Sequence, residues 1–262
     1  TSWRNAWGLG DFPFYFVQIA PFAYEEPYAG ALLREAQLKC LSVPNTGMAV
    51  TMDLVDNIND IHPKNKLDVG KRLALWALDK TYGKTGESFS GPVYTDMKIS
   101  GNELILSFQY AERTLKLVSN TNNNFTIAGS DRVFYPATVK VMGEKLVLYS
   151  RKVNKPVAAR YAFTNTSQAT LFNASGLPAP SFRTDDWDLI TSDVTLQPQL
   201  DNQTRKMTYQ LSITARETDI YYDFNKVPTK NAPRFLSPIP AGKTGTLDRK
   251  STRLNSSHGY IS

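Results

Sequence analysis

The sequence predicts an α/β layered portion followed by β-sandwich-like modules. Residues 12–82 alternate short apolar runs with helical patterns, as strands joined by crossover helices do. From Ser90 onward the helical period stops, and short runs separated by turn residues take over. The 13 tyrosines and 13 phenylalanines suit half-buried sheet faces.

Taken in order, residues 12–22 are short, rich in aromatics and flanked by Pro13 and Pro21, which predicts a buried strand of a parallel sheet. A helix follows at about 27–42, and Pro44-Asn45-Thr46-Gly47 reads as a turn. Met48–Leu54 predicts a second buried strand, ending in the polar loop Asp56–Lys64. Asn65, with Asp68 three residues on, is an N-cap for a helix over 66–82, with Val69, Leu73, Trp76, Ala77 and Lys80 on one face. Gly83 suits the residue just past its end.

The β-only region begins with a hairpin, 97–99 and 103–108, turned by Gly101-Asn102. Strands are expected at 125–128, 137–142, 145–150 (joined to the previous one by Gly143-Glu144) and 157–163, completing a β-sandwich-like unit near Trp187. Residues 194–196, 207–213 and 219–224 start a small further β-domain. The expected domains are therefore 1–88, 89–188 and 189–247. Of these, residues 91–187 are the part that could fold alone.

Residues 248–262 stand apart. The string Asp248-Arg249-Lys250-Ser251-Thr252-Arg253-Leu254-Asn255-Ser256-Ser257-His258 matches the translation of a common sequencing-adapter oligonucleotide. It shows no apolar period, so it is expected to be an artefact outside the fold. The chain opens at Thr1 with residues that look like mid-domain sequence, and an N-terminal truncation is expected.

The 262 residues are 41% apolar and 21% charged, enough for an ordinary core. The net charge of +6 forms no Lys/Arg block, so no nucleic-acid partner is expected. No apolar run reaches ~18 residues, so no spanning helix is expected. The lone Cys40 excludes an internal disulfide and reads as a small core residue of the first long helix. Without a His/Cys cluster, no metal site is expected. Oligomeric state is not legible.

Chemistry concentrates in Asp60-Ile61-His62-Pro63. An α/β sheet carries its functional loops beyond the C-terminal ends of its strands, where this segment falls. A histidine there can take a proton from a hydroxyl nucleophile and return it to the leaving group, and a neighbouring carboxylate can hold its tautomer. Pro63 keeps His62 out of helical conformation and presents it from a loop. Asp-x-His is also common by chance, so the spacing alone equally fits a surface histidine.

Four blocks in order add to this: Phe12–Ala20, Leu33-Arg34-Glu35-Ala36-Gln37, Pro44–Asp53 and Asn59–Lys66. With Gly91-Pro92-Val93-Tyr94, Phe125–Gly129, Leu177-Pro178-Ala179 and Phe182–Asp185, they resemble the sialate O-acetylesterases over roughly residues 1–187. The resemblance implies a three-layer α/β SGNH-type serine hydrolase. Such an enzyme cleaves acetyl esters from sugars through an acyl-enzyme, without a cofactor and in a periplasmic or extracellular location. His62 matches the family's catalytic histidine and Asp60 is its carboxylate partner, although the more familiar spacing puts the acid at position 59, here Asn59. Val55 stands where the family has glycine. Gln18, Arg34 and Gln37 lie in matched blocks and either face the sugar or support the histidine loop; the competing reading makes Arg34 and Gln37 a solvated or domain-contacting helix face. The family's Gly-Gln-Ser-Asn-Met nucleophile block does not occur in this sequence, so the chain alone is expected to be inactive.

Residues 218–222 and 227–239 resemble the small C-terminal β-domain of chitobiases and β-hexosaminidases. Two other readings compete with the esterase. One is a non-catalytic carbohydrate-binding or spacer module using Trp187, Tyr221 and Tyr222. The other is an acetylxylan esterase with the same apparatus.

Overall fold

The computed structural model describes residues 2–84, 86, 88–118, 124–187 and 189, and beyond them the backbone of five strands within 195–253. The chain divides into two compact units, 1–24 with 28–186, and 25–27 with 187–262.

The first unit begins with α1 (Ser2–Trp7), β1 (Phe14–Val17), α2 (Ala29–Lys39), β2 (Thr46–Ala49) and α3 (Lys66–Lys80). It continues with β3 (Val93–Ser100), β4 (Glu103–Gln109), β5 (Lys116–Leu117), β6 (Phe125–Ala128), β7 (Phe134–Pro136) and β8 (Thr138–Met142). Then come β9 (Lys145–Tyr149), β10 (Ala158–Tyr161), β11 (Leu171–Phe172) and β12 (Phe182–Arg183). Strands β1 and β2 are parallel, Phe14 opposite Thr46 and Val17 opposite Ala49. The other strands form antiparallel sheets in the orders β3-β4-β9-β8, β12-β10-β6-β7 and β11-β5.

α3 forms as its ends dictate. Asn65 caps it, its Oδ1 accepting from the Asp68 N–H at 3.1 Å, and Gly83 takes a left-handed φ of 63° just past it. Trp76 is its buried residue and donates from Nε1 to the Met48 carbonyl at 3.0 Å. Gly47 makes this contact possible: a Cβ there would meet the Trp76 ring at 2.5 Å.

The parallel pair and the antiparallel sheets share one core. Met48, Val50 and Met52 lie in the same buried cluster as Leu104, Leu106, Leu146 and Leu148 of one sheet and Phe125, Ile127, Ala159 and Tyr161 of the other. The Tyr161 hydroxyl accepts from the N–H groups of Thr170 and Leu171, both at 2.8 Å. No break between compact units falls at the expected 88/89 boundary.

Several elements differ from expectation. β1 covers four residues and is only half-buried, because among the described residues it pairs with β2 alone. β2 begins at Thr46, inside the expected turn, with Asn45 absorbing the bend at φ 56°. Cys40 is exposed, not core: it opens the 3-10 turn Cys40–Ser42 that ends α2, where the chain leaves the helix's buried face.

In the second unit β13 (Thr195–Leu200), β14 (Met207–Ser212) and β16 (Ile239–Pro240) form one antiparallel sheet, and β15 (Thr218–Phe224) pairs with β17 (Leu247–Arg253). Residues 248–253, expected to lie outside the fold, are strand, paired with β15. Ladder hydrogen bonds need backbone groups, not an apolar period. Residues 227–238, part of the chitobiase-like stretch, lie outside the described residues, as do the side chains of Tyr221 and Tyr222. Trp187 is half-buried.

Candidate active site

The loop between β2 and α3 carries His62. Its base is buried and tied on several sides. The Thr51 hydroxyl donates to the Gln18 carbonyl at 2.8 Å, and the Ala169 N–H donates to the Met52 carbonyl at 3.0 Å. The Gln168 amide donates to the Val55 carbonyl at 3.1 Å, and the Ala23 N–H to the Ile58 carbonyl at 2.8 Å. Arg72 of α3 reaches back to the Asp53 carboxylate and the Val50 carbonyl. Val55 is absent from the residues with positive φ, so the backbone there does not require the glycine that the resemblance would place.

The tip is polar and exposed. Asn57 accepts from the Asn59 N–H through its side chain at 3.0 Å, and Asp60 accepts from the His62 N–H at 2.9 Å, both Asx-type turns. The same Asp60 oxygen lies 3.3 Å from His62 Nδ1. Asp60 therefore holds the His62 backbone through a hydrogen bond and sets a carboxylate beside its ring. Asn59, three residues before the histidine, makes no bond to the ring among the described residues. The His62 side chain is 82% exposed and Asp60 47%, so Nε2 is open to an incoming hydroxyl. No serine hydroxyl among the described residues bonds to it.

Gln18, Arg34 and Gln37 lie elsewhere. Gln18 and Arg34 are fully buried. Gln18 donates to the Arg34 carbonyl at 3.3 Å. Arg34 donates from Nε to Ser181 Oγ at 3.2 Å and from Nη2 to the Thr164 carbonyl, which fastens α2 to the β-rich part. Burial lowers the Arg34 pKa to about 10, against a smaller opposing influence of Tyr24. Arg34 Nη1, Gln18 Oε1 and Tyr24 OH have no hydrogen-bond partner among the described residues. Gln37 accepts from the Ile19 N–H at 2.8 Å and donates to the Val17 carbonyl at 3.3 Å, standing in for a neighbouring strand at the end of β1. In this conformation none of the three faces an open sugar site beside His62. Their bonds hold the end of β1, whose Gln18 carbonyl anchors the histidine loop.

The Asp53–Arg72 pair has only a weak sequence signal, a carboxylate ending a strand and an arginine in the second turn of the next helix. Among the described residues, no group of three or more His, Cys, Asp or Glu side chains could hold a metal ion. No helix among them is long and apolar enough to cross a membrane.

A crystal structure of a carbohydrate acetylesterase from Xanthomonas citri superposes on this fold with a TM-score of 0.64 and 38% identity, covering 71% of this chain and 44% of that one. The chain is thus similar to a carbohydrate acetylesterase in both sequence and fold. Mouse sialate O-acetylesterase is 28% identical over 209 residues, 69% of this chain and 38% of the relative. The Pongo abelii enzyme of the same name is 34% identical over 154 residues, 53% and 29% respectively. The rat enzyme is 29% identical over 210 residues, 70% and 39%. The chain therefore spans well under half the length of these relatives. No family model matches it.

Proposed function

We propose that the whole protein hydrolyses acetyl esters on sugars and that this chain supplies the base of its Ser-His-Asp relay. The observation that carries the reading is the His62–Asp60 pair. Nδ1 faces a carboxylate at 3.3 Å and Nε2 is open, on a loop after a parallel strand. That is the arrangement in which imidazole accepts a hydroxyl proton and later returns it to the leaving alcohol. The similarity to a carbohydrate acetylesterase and to sialate O-acetylesterases supports acetyl-ester chemistry on a glycan. In this reading the serine and the oxyanion donors come from residues outside this chain, the fold is of SGNH type, and the enzyme works in the periplasm or outside the cell.

The test is to rebuild the complete gene and assay p-nitrophenyl acetate hydrolysis with and without His62→Ala. Loss of activity by about 10³-fold or more supports the base role. Activity indifferent to His62 sinks it. Released acetate from acetylated sialic acid against acetylated xylan separates the two esterase substrates.

A further inference from the structure

A cavity of about 610 Å³ opens between the middle of α3, Gly86 with Ser88–Ser90, the turn from β4 to β5 and the 174–177 loop. Leu75, its wall on α3, lies ten residues beyond the Asn65 cap. That is roughly 15 Å along the helix from the end that carries the His62 loop. Its volume falls in the usual range for small-ligand sites. The remaining lining mixes two aromatics, Phe89 and Tyr110, with Ser88, Glu112, Arg113 and Ser175.

The walls are fixed from beneath. Asn173 is buried, and its amide donates to the carbonyls of Ser90 at 2.9 Å and Tyr110 at 3.2 Å. Its Oδ1 accepts from the Leu177 N–H at 3.0 Å. One side chain thus joins three walls. Gly91 presses on the last of them so closely that a Cβ would sit 2.0 Å from the Pro178 carbonyl oxygen. Phe89 packs edge-on to Trp76 and Tyr110, with ring centroids 4.7 and 5.1 Å away.

Two non-glycine residues of this turn, Tyr110 at φ 57° and Arg113 at φ 74°, hold left-handed backbone conformations, which cost energy and cluster at ligand sites. Between them stands Glu112. Its one hydrogen bond among the described residues comes from Ser88 Oγ at 3.4 Å, and Arg113 has no partner among them. An exposed carboxylate and guanidinium side by side would ordinarily be solvated turn residues. Here a strained backbone and a buried asparagine clamp hold them over a concave aromatic wall.

We propose that this cavity is a second sugar-binding site, taking a unit of a neutral glycan chain away from the His62 loop. Tyr110 supplies a ring for the apolar face of the sugar, Glu112 accepts from one hydroxyl and Arg113 donates to its neighbour. The balanced charges of Glu112 and Arg113 favour a neutral unit over an acidic one. The choice of a glycan rests on the proposed esterase reading, while the cavity itself does not.

The test is titration of the full 262-residue chain with xylohexaose and with tetra-N-acetylchitotetraose, followed by saturation-transfer NMR and calorimetry. Binding of one of them is expected, weakened about tenfold in Arg113→Ala and in Glu112→Gln, both exposed changes that leave the fold intact. His62→Ala should bind as the parent does. No binding of either sugar up to roughly 10 mM overturns the proposal. So does binding that both cavity variants leave unchanged, or that His62→Ala abolishes. Sugar binding that follows the cavity variants, beside a rebuilt protein without esterase activity, keeps this site and removes the esterase.

Discussion

Arg72 grips Asp53 through two parallel N–H···O bonds of 2.6 Å each, in the segment that leads from β2 into the histidine loop. Both side chains are largely shielded, 11% and 18% exposed. Such a fork is geometrically specific, and removing one partner strands the other's charge. Asp53→Asn is therefore expected to cost about 3 kcal/mol, read as a fall in Tm of roughly 9 °C. A double variant, Asp53→Leu with Arg72→Met, should cost less than Asp53→Asn alone, because no charge is left unpaired. Equal melting of Asp53→Asn and the parent would show that the pair holds nothing.

Asp60 touches His62 twice, and the two contacts respond differently to substitution. In Asp60→Asn the side-chain oxygen still accepts from the His62 N–H, so the loop turn survives. The charge that favours the Nδ1–H tautomer is gone. In the rebuilt protein, kcat is expected to fall by about 10²-fold with KM little changed, less than for His62→Ala, since water reaches the half-exposed carboxylate. A loss confined to KM would place Asp60 in substrate binding and not beside the base.

Three glycines to alanine should give three different results. Gly91→Ala sets a Cβ 2.0 Å from a backbone carbonyl that cannot turn away, and about 3 kcal/mol or more of stability should go. Gly47→Ala meets the buried Trp76 ring at 2.5 Å and is expected to cost about 2 kcal/mol. Gly70 sits mid-helix in α3 with nothing within 4 Å of the new methyl, so alanine there should stabilise by about 0.5–1 kcal/mol. Chemical denaturation of the three variants would check the order, and a destabilised Gly70→Ala would refute the account of α3 as an exposed regular helix.

What the sequence makes legible follows from the range of the interactions involved. α3 can be read from its own residues: the Asn65 cap, the Trp76 face and Gly83 lie within twenty residues of one another. The β3–β4 hairpin is legible for the same reason, with Gly101 in its left-handed turn. The Asp60–His62 pair is local too. Arg34 is different: in sequence it is a polar residue on an amphipathic helix, and its burial comes from Thr164 and Ser181, 130 and 147 residues away. No period or spacing announces such a bond. The single core joining β2 to the later sheets stayed hidden for the same reason. It also counts against independent folding of 91–187, which would lose Met48, Val50 and Met52 from its interior.

The Glu35–Arg183 pair makes the junction of α2 and β12 sensitive to acid. Arg183 donates to Glu35 from Nε at 2.9 Å and from Nη2 at 3.2 Å, and Lys39 lies 3.4 Å from the same carboxylate. Burial pushes the Glu35 carboxyl up, but the Arg183 hydrogen bond and the positive charges of Arg183 and Lys39 outweigh it and hold the pKa below its ordinary 4.5. A depressed folded-state pKa means that the unfolded chain binds the proton first. The pair's stabilisation is then complete above pH 4.5 and is lost as pH falls through the lower folded-state value. Glu35→Gln should be less stable than the parent at pH 7, and the gap should close as the melts are taken below pH 4.5. A gap that stays constant across that range would mean that Glu35 acts through packing and not through its charge.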